Sequence, residues 1–310
     1  MTTAVAPTGT VRGDKRAERS AKKRKGIRSP YPTWFYIPAA VLFLVFFAVP
    51  TFASFYFSLT RWTLFTTQFI GFDNFVQFFQ DPALSQAFVN TFIYGFVTSA
   101  AKVVLGLALA LLLTSPILGR GYLRAVVFFP VLVSTIGVGL TFKALLDPFH
   151  GPVNAVLGFL HLPQPGWYTD PNLALLTIAG VDIWKGVGIA TLIFMAGIVA
   201  IPSEYFEAAR VDGAHAWAVF RNITLPLVRP AMGTVIILSL IGGLRSFDLI
   251  WAMTNGGPGF SSDVIASVIY KEYQAGFFGL STAGNVILFV VVTAVMWPVS
   301  WFLNRREAEL

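Results

Sequence analysis

The chain has 310 residues, of which 55% are hydrophobic and only 12% charged, with a mean hydropathy of +0.70. That is too apolar for an ordinary soluble domain and places the chain in a bilayer. Cysteine is absent, which excludes disulfides and thiolate metal sites, and the three histidines, His150, His161 and His215, share no spacing suited to a metal.

The formal charge of +7 concentrates between Arg12 and Arg28. Residues 1–30 read as a disordered arm, too polar and charged to bury a core. A basic, acid-poor arm ahead of an apolar run marks the cytoplasmic side of a membrane more often than it binds nucleic acid. The first apolar run is too long for a signal peptide, and no small-residue cleavage site follows it.

From residue 31 onward the hydropathy pattern predicts an all-α membrane domain, 31–310, with six spanning helices. The first covers Trp34 to Ser58, the second Ala87 to Thr114 and the third Leu123 to Leu146. The fourth covers Leu173 to Ile201, the fifth Ala231 to Ala252 and the sixth Ser281 to Asn304. Lysine and arginine fall unevenly between them. Nine precede span one, Arg120 and Arg124 lie between two and three, Arg210, Arg221 and Arg229 between four and five, and Arg305 and Arg306 after six. The opposite side holds Arg61 and Lys271, with Lys143 near the end of span three. This bias predicts both termini in the cytoplasm of a multi-pass protein of a bacterial-type inner membrane. The opposite-side connections are rich in Gly, Pro and aromatics, as in Gly71–Phe75, Pro163–Trp167 and Asn255–Gly259, and read as turns. Gly137-x-Gly139 and Gly186-x-Gly188 lie inside apolar spans and read as helix-packing glycines rather than nucleotide sites.

Intramembrane charges are expensive, so those present should face protein or a water-filled path. Span four carries Asp182 and Lys185, and span five carries Arg245 and Asp248. Each acid and base are three residues apart, hence on one helix face. They read either as path-lining groups or as local ion pairs that hold neighbouring helices. Lys102 in span two is open to both readings.

Between spans four and five lies a polar, helix-prone loop, residues 203–230, that cannot stay in hydrocarbon. Ser203 reads as a helix cap with Glu204 in the first turn, where the helix dipole favours an acid. Asp212-Gly213 reads as the stop, the glycine supplying a positive φ. A second short helix is expected over 214–222, with Trp217 and Phe220 on one face. On composition alone the loop could be an amphipathic hairpin lying on the membrane surface.

The spacing Glu207-Ala208-Ala209, three residues, Gly213, nine residues, Ile223-x-Leu225-Pro226 resembles the signature loop of ABC importer permeases. In that family the loop docks on the ATPase. The resemblance covers all six spans and is similar to the larger-type membrane subunit of maltose and related carbohydrate importers, in a compact form without a long extracellular insert. Thr254–Pro258 and Asp182-x-Trp184-x-Gly186 are further subgroup features. It implies coupling roles for Glu204, Glu207, Ala208, Ala209, Asp212, Gly213, Leu225 and Pro226. It also implies a solute path near Val131, Thr135, Asp182, Lys185, Gly186, Gly243, Arg245, Ser246 and Asp248. The maltose-type pattern has asparagine where this chain has Asp182 and Gly243, and a small apolar residue in place of Lys185. The resemblance therefore implies a polar solute, a sugar or sugar derivative, without naming maltose.

No G-x-x-x-x-G-K-[ST] phosphate loop occurs, and neither does an HExxH or GxSxG motif. No catalytic or metal residue is expected in this chain, so ATP and Mg belong to a partner ATPase. The implied partners are a second homologous permease, two ATPase subunits, an extracytoplasmic solute-binding protein, the sugar and the lipid membrane, with no nucleic acid. The competing reading is an ion-coupled secondary transporter that uses Asp182, Lys185, Arg245 and Asp248 as its coupling chain. The lack of a visible inverted repeat weighs against it.

Overall fold

A computed structural model of the chain describes residues 33–63 and 65–307; the arm expected over 1–30 lies outside them. The chain divides into two units, Met1–Thr51 and Phe52–Leu310. In the first, helical residues 34–47 all expose their side chains, among them Phe43, Phe46 and Phe47. A helix apolar all round belongs in a membrane. It forms most of the apolar helix Trp34–Ser58, α1.

In the second unit the end of α1 is followed by a small antiparallel hairpin, β1 (Thr60–Trp62) and β2 (Thr67–Phe69), in the register Thr60↔Phe69. The all-helical expectation did not include it. Asn74 on α2 (Asp73–Gln80) fixes it, donating from Nδ2 to the carbonyls of Ser58 and Thr60 at 2.8 and 2.9 Å.

The 33-residue helix α3 (Pro82–Thr114) begins five residues before the expected span. Asp81 caps it, its Oδ1 accepting from the Ala83 amide at 2.8 Å, and Pro82 occupies a first-turn position where its missing N–H does no harm. At ~1.5 Å per residue the helix is about 50 Å long, well beyond the ~30 Å hydrocarbon core.

Span three is not one helix. It divides into α4 (Arg120–Leu132) and α5 (Thr135–Leu145), bent by 101°. Pro130 removes a backbone donor near the end of α4, and Val133 then turns extended, φ −84° and ψ 142°. Hydropathy registers neither event, which is why the sequence pattern read as continuous. After α6 (Pro152–Phe159) comes α7 (Ala174–Val199), the expected fourth span. The polar loop follows as α8 (Ser203–Val211) and the helical run α9 (Ala216–Leu227).

Span five is also corrected. The helix there, α10, covers only the sixteen residues Arg229–Leu244 and meets α9 at 67°. Residues 245–247 leave the helical path, and a separate helix α11 (Asp248–Thr254) follows. The chain ends with α12 (Ile265–Gln274) and α13 (Phe278–Glu307). Among the described residues four helices are long and apolar enough to cross a membrane, or up to six if each bent pair is one span. The chain is thus an all-α, multi-pass membrane protein but for its small hairpin.

Helix α3 is the spine. It packs along α7 and α10, while α11 packs on α5, and α12 on α13. These crossings are close because small residues meet there. A Cβ built on Gly106 of α3 would stand 2.7 Å from that of Ala190 on α7, and one on Gly139 of α5 would stand 2.6 Å from that of Ala252 on α11. Gly188 lies against the Val127 carbonyl of α4. The packing role expected of Gly139 and Gly188 is met; Gly137 has only Ser134 nearby.

Candidate functional site

The loop between α7 and α10 is a helical hairpin. Its first helix starts with Pro202 at the cap position and no side-chain cap bond, so Ser203 is the first helical residue rather than the cap. The helix ends in a Schellman motif. Gly213 has φ +70°; its amide donates to the Arg210 carbonyl at 3.1 Å, and the Ala214 amide donates to Ala209 at 2.9 Å. Two otherwise orphan carbonyls are satisfied by this reversal. The return helix passes through a π turn, Phe220–Thr224, and Trp217 and Phe220 stand with ring centroids 5.3 Å apart.

The hairpin has an anchored side and a free side. Ile201 and Val228 are buried in a cluster with Ala110, Ala190, Phe194 and Val235, and Phe206 packs against it. Ala209 is buried, and Leu225 and Pro226 are half-buried. Glu204, Glu207, Ala208, Asp212 and Gly213 are exposed, as are Tyr205, Val211 and Trp217. Apolar rings left uncovered beside acidic groups on a polar loop make a surface fit for a protein partner. A groove of about 270 Å³ runs between the two helices, lined by Tyr205, Ala208, Ala209, Asp212, Ala218 and Ile223 among others.

The second cluster lies where α3, α7 and the end of α10 meet. Its centre is an ion pair that sequence spacing did not indicate. Asp182 pairs not with Lys185 on its own helix face but with Lys102 on α3, Nζ to Oδ2 at 2.7 Å. Arg245 and Asp248, unlike Asp182 and Lys185, do not share a helix. Arg245 caps the end of α10 and Asp248 opens α11, where an acid complements the helix dipole. Among the described residues no ion pair within 4.0 Å forms at Lys185, Arg245 or Asp248. Val131, Thr135, Lys185, Gly186 and Ser246 are half-buried, Arg245 and Asp248 are exposed, and Gly243 is buried against Gly95.

Tyr94 belongs to this cluster and was not singled out in the sequence. Its ring is fully buried, and its hydroxyl lies beside Asp182 and Ser246 without closing a hydrogen bond to either. A smaller pocket of about 230 Å³ opens beside Lys102, lined also by Gly186, Ser239 and Gly242 with apolar neighbours.

A larger cleft of about 1040 Å³ lies at the N-terminal ends of α3 and α7, lined by Asp81, Gln86, Asn90, Asn172, Lys271 and Glu272 among others. Beneath it Asp263, wholly buried, accepts from Lys271 Nζ at 2.6 Å and Ser267 Oγ at 2.7 Å. Asn90 Nδ2 donates to the carbonyls of Ser261 and Asp263 at 3.0 and 2.8 Å. Burial and the neighbouring Asp81 push the Glu272 carboxyl above its usual range. Among the described residues no group of three or more His, Cys, Asp or Glu is placed to hold a metal ion.

Residues 102–307 match the model of the binding-protein-dependent transport system inner membrane component. The chain belongs to that family. This permease chain is 33% identical to the trehalose/maltose transport system permease protein MalF of Thermococcus litoralis, over 83% of this chain and 88% of that protein. It is 31% identical to the diacetylchitobiose uptake system permease protein NgcF of Streptomyces coelicolor, over 97% of this chain and 90% of the relative. Among solved structures, a bacterial ABC transporter involved in import of the acidic polysaccharide alginate superposes with a TM-score of 0.76 at 25% identity, covering 87% of this permease and 94% of that chain.

Proposed function

We propose that this permease is the membrane-spanning subunit of an ATP-driven, binding-protein-dependent sugar importer, forming half of the translocation path and docking on an ATPase subunit. The observation that carries the reading is the hairpin 203–230: a Schellman-closed reversal rooted in the α3–α7–α10 core, with acidic and aromatic side chains uncovered at its tip. A sugar is supported by relatives named for trehalose, maltose and diacetylchitobiose and by the alginate importer. Hydrolysis of ATP is the partner's task, since the chain has no phosphate loop.

In this reading α4 with α5 and α10 with α11 make the third and fifth spans, giving six. Both termini and the hairpin are cytoplasmic, and residues 1–30 form a basic arm on that side. The assembly holds a second homologous permease, two ATPase copies and an extracytoplasmic binding protein. Glu204, Glu207, Ala208, Ala209, Asp212, Gly213, Leu225 and Pro226 transmit ATPase movement to α7 and α10. Val131, Thr135, Asp182, Lys185, Gly186, Gly243, Arg245, Ser246 and Asp248 belong to the solute path.

The test is uptake by the assembled complex in proteoliposomes. Gly213→Pro cannot adopt φ +70°, so the hairpin reversal is lost, and solute-stimulated ATP hydrolysis is expected to fall while the permease still inserts. Undiminished stimulation in that variant would remove the coupling role. Uptake driven by membrane potential without ATP would favour a secondary transporter.

A further inference from the structure

Resting on the importer reading, we propose that Lys102 is a positioning residue of the solute path, holding the Asp182 carboxylate as a fixed, charge-balanced acceptor for the hydroxyls of a neutral sugar.

Lys102 reaches Asp182 across 80 residues of chain, from α3 to α7. The lysine side chain is 10% exposed and the aspartate 21%, so the carboxylate is the more accessible of the two. Gly186, one helical turn beyond Asp182, makes the approach possible. A Cβ there would stand 2.7 Å from Lys102 Cε and 3.0 Å from Nζ, so the lysine stem crosses α7 in the space a side chain would fill. Lys102, Gly186, Ser239 and Gly242 together line the 230 Å³ pocket, so the lysine end of the pair reaches a cavity wall.

An ion pair that served only to join two helices would be saturated with hydrogen bonds, because unsatisfied polar groups in low dielectric are costly. This one has spare capacity. Lys102 engages only Oδ2. An ionised carboxylate accepts and never donates, so it suits hydroxyl donors, and such charge-assisted bonds are stronger than neutral ones. With the ammonium 2.7 Å away the pair carries no net charge, so an amine on the solute gains no net Coulomb attraction from it.

The probes are N,N′-diacetylchitobiose, neutral, and chitobiose, which carries two amines. Each is titrated into the purified permease complex with calorimetry giving Kd, and each is then followed as ATP-driven uptake in proteoliposomes. Lys102→Met is expected to raise Kd and KM for the neutral probe by about 10- to 100-fold, the loss of a misplaced charge-assisted bond. Its kcat should stay near wild type, and its discrimination against chitobiose should fall. Lys102→Arg should restore both. The double variant Lys102→Met/Asp182→Asn leaves no uncompensated charge and keeps the assembly folded; its Kd for the neutral probe should remain raised. Wild-type Kd and discrimination in either Met variant would overturn the proposal and leave Lys102 a packing residue. Binding with no ATP-driven uptake in the wild type would sink the importer reading alone, since the Kd comparison stands apart from transport.

Discussion

Gly242 and Gly243 are adjacent on α10, yet they face opposite conditions. A Cβ on Gly243 would stand 2.8 Å from Gly95 Cα, 2.8 Å from Thr98 Oγ1 and 3.1 Å from the Gly95 carbonyl, whereas one on Gly242 meets nothing within 4 Å. Carbon atoms pack at ~3.5–4.0 Å, so Gly243→Ala requires α3 and α10 to separate by about 1 Å at this crossing. The obstacle is mostly backbone, and Leu244, 1% exposed, is already wedged on Gly95 from the other side. Overpacking of this kind costs ~1–3 kcal/mol, while Gly→Ala in a helix contributes ~1 kcal/mol in favour. Gly242→Ala gains the second without incurring the first. The two variants should therefore differ by about 1–3 kcal/mol, with Gly243→Ala the less stable. At roughly 2–4 °C per kcal/mol the gap is several degrees in the apparent unfolding midpoint. Intrinsic fluorescence of the purified complex, heated at one fixed rate, reads it. Equal midpoints, or a more stable Gly243→Ala, would refute the close α3–α10 crossing.

Tyr94→Phe removes a buried hydroxyl that closes no bond, so its stability should match or exceed wild type by up to ~1 kcal/mol; a loss beyond that would show a partner the geometry does not contain. Asn90→Ala strips the donors from the Ser261 and Asp263 carbonyls. It should cost about 1–3 kcal/mol and speed amide exchange across residues 256–263, and unchanged exchange would contradict the clamp. The Asp147 carboxyl is held below its usual range by the amide of His150 first and that of Phe149 second. A lowered carboxyl contributes order that is present above its unfolded value, ~3.9, and lost as pH falls through the folded one. Protection of the Phe149 and His150 amides, corrected for intrinsic exchange, should therefore hold at neutral pH and vanish in acid; a pH-independent factor would contradict the turn.

The hairpin 203–230 was legible because its signals are local. A glycine at the stop, an acid in the first turn and helix-spaced alanines each act within one or two turns. Ser203 was misplaced by one position because Pro202, unable to donate an amide, sits as well at a cap as a serine does. The breaks in spans three and five were not legible from hydropathy, since α5 and α11 remain apolar on both sides of them. Pro130 was a local sign of the first. The partner of Asp182 could not be read at all. Spacing of three on one helix face suggested Lys185, but pairing across helices depends on which faces α3 and α7 present, and Gly186 clears the way for Lys102 alone. Lys102 itself was visible as a cation amid apolar residues. Tyr94 and Asn90 lacked even that, being ordinary in composition and placed only by packing.

Helices α5 and α11 follow the breaks and lie on each other, Gly139 against Ala252 and Leu249. The Ala252 methyl and the Leu249 side chain fill the space that a side chain on Gly139 would occupy, so any larger residue at 139 would push the two helices apart. They share one buried cluster with α7, in which Val138, Leu249, Ile250 and Met253 are packed with Leu175, Ile178 and Val181. Residues 133–134 join this corner to α4 and 245–247 join it to α10, so α7 and both short links meet in a single apolar core.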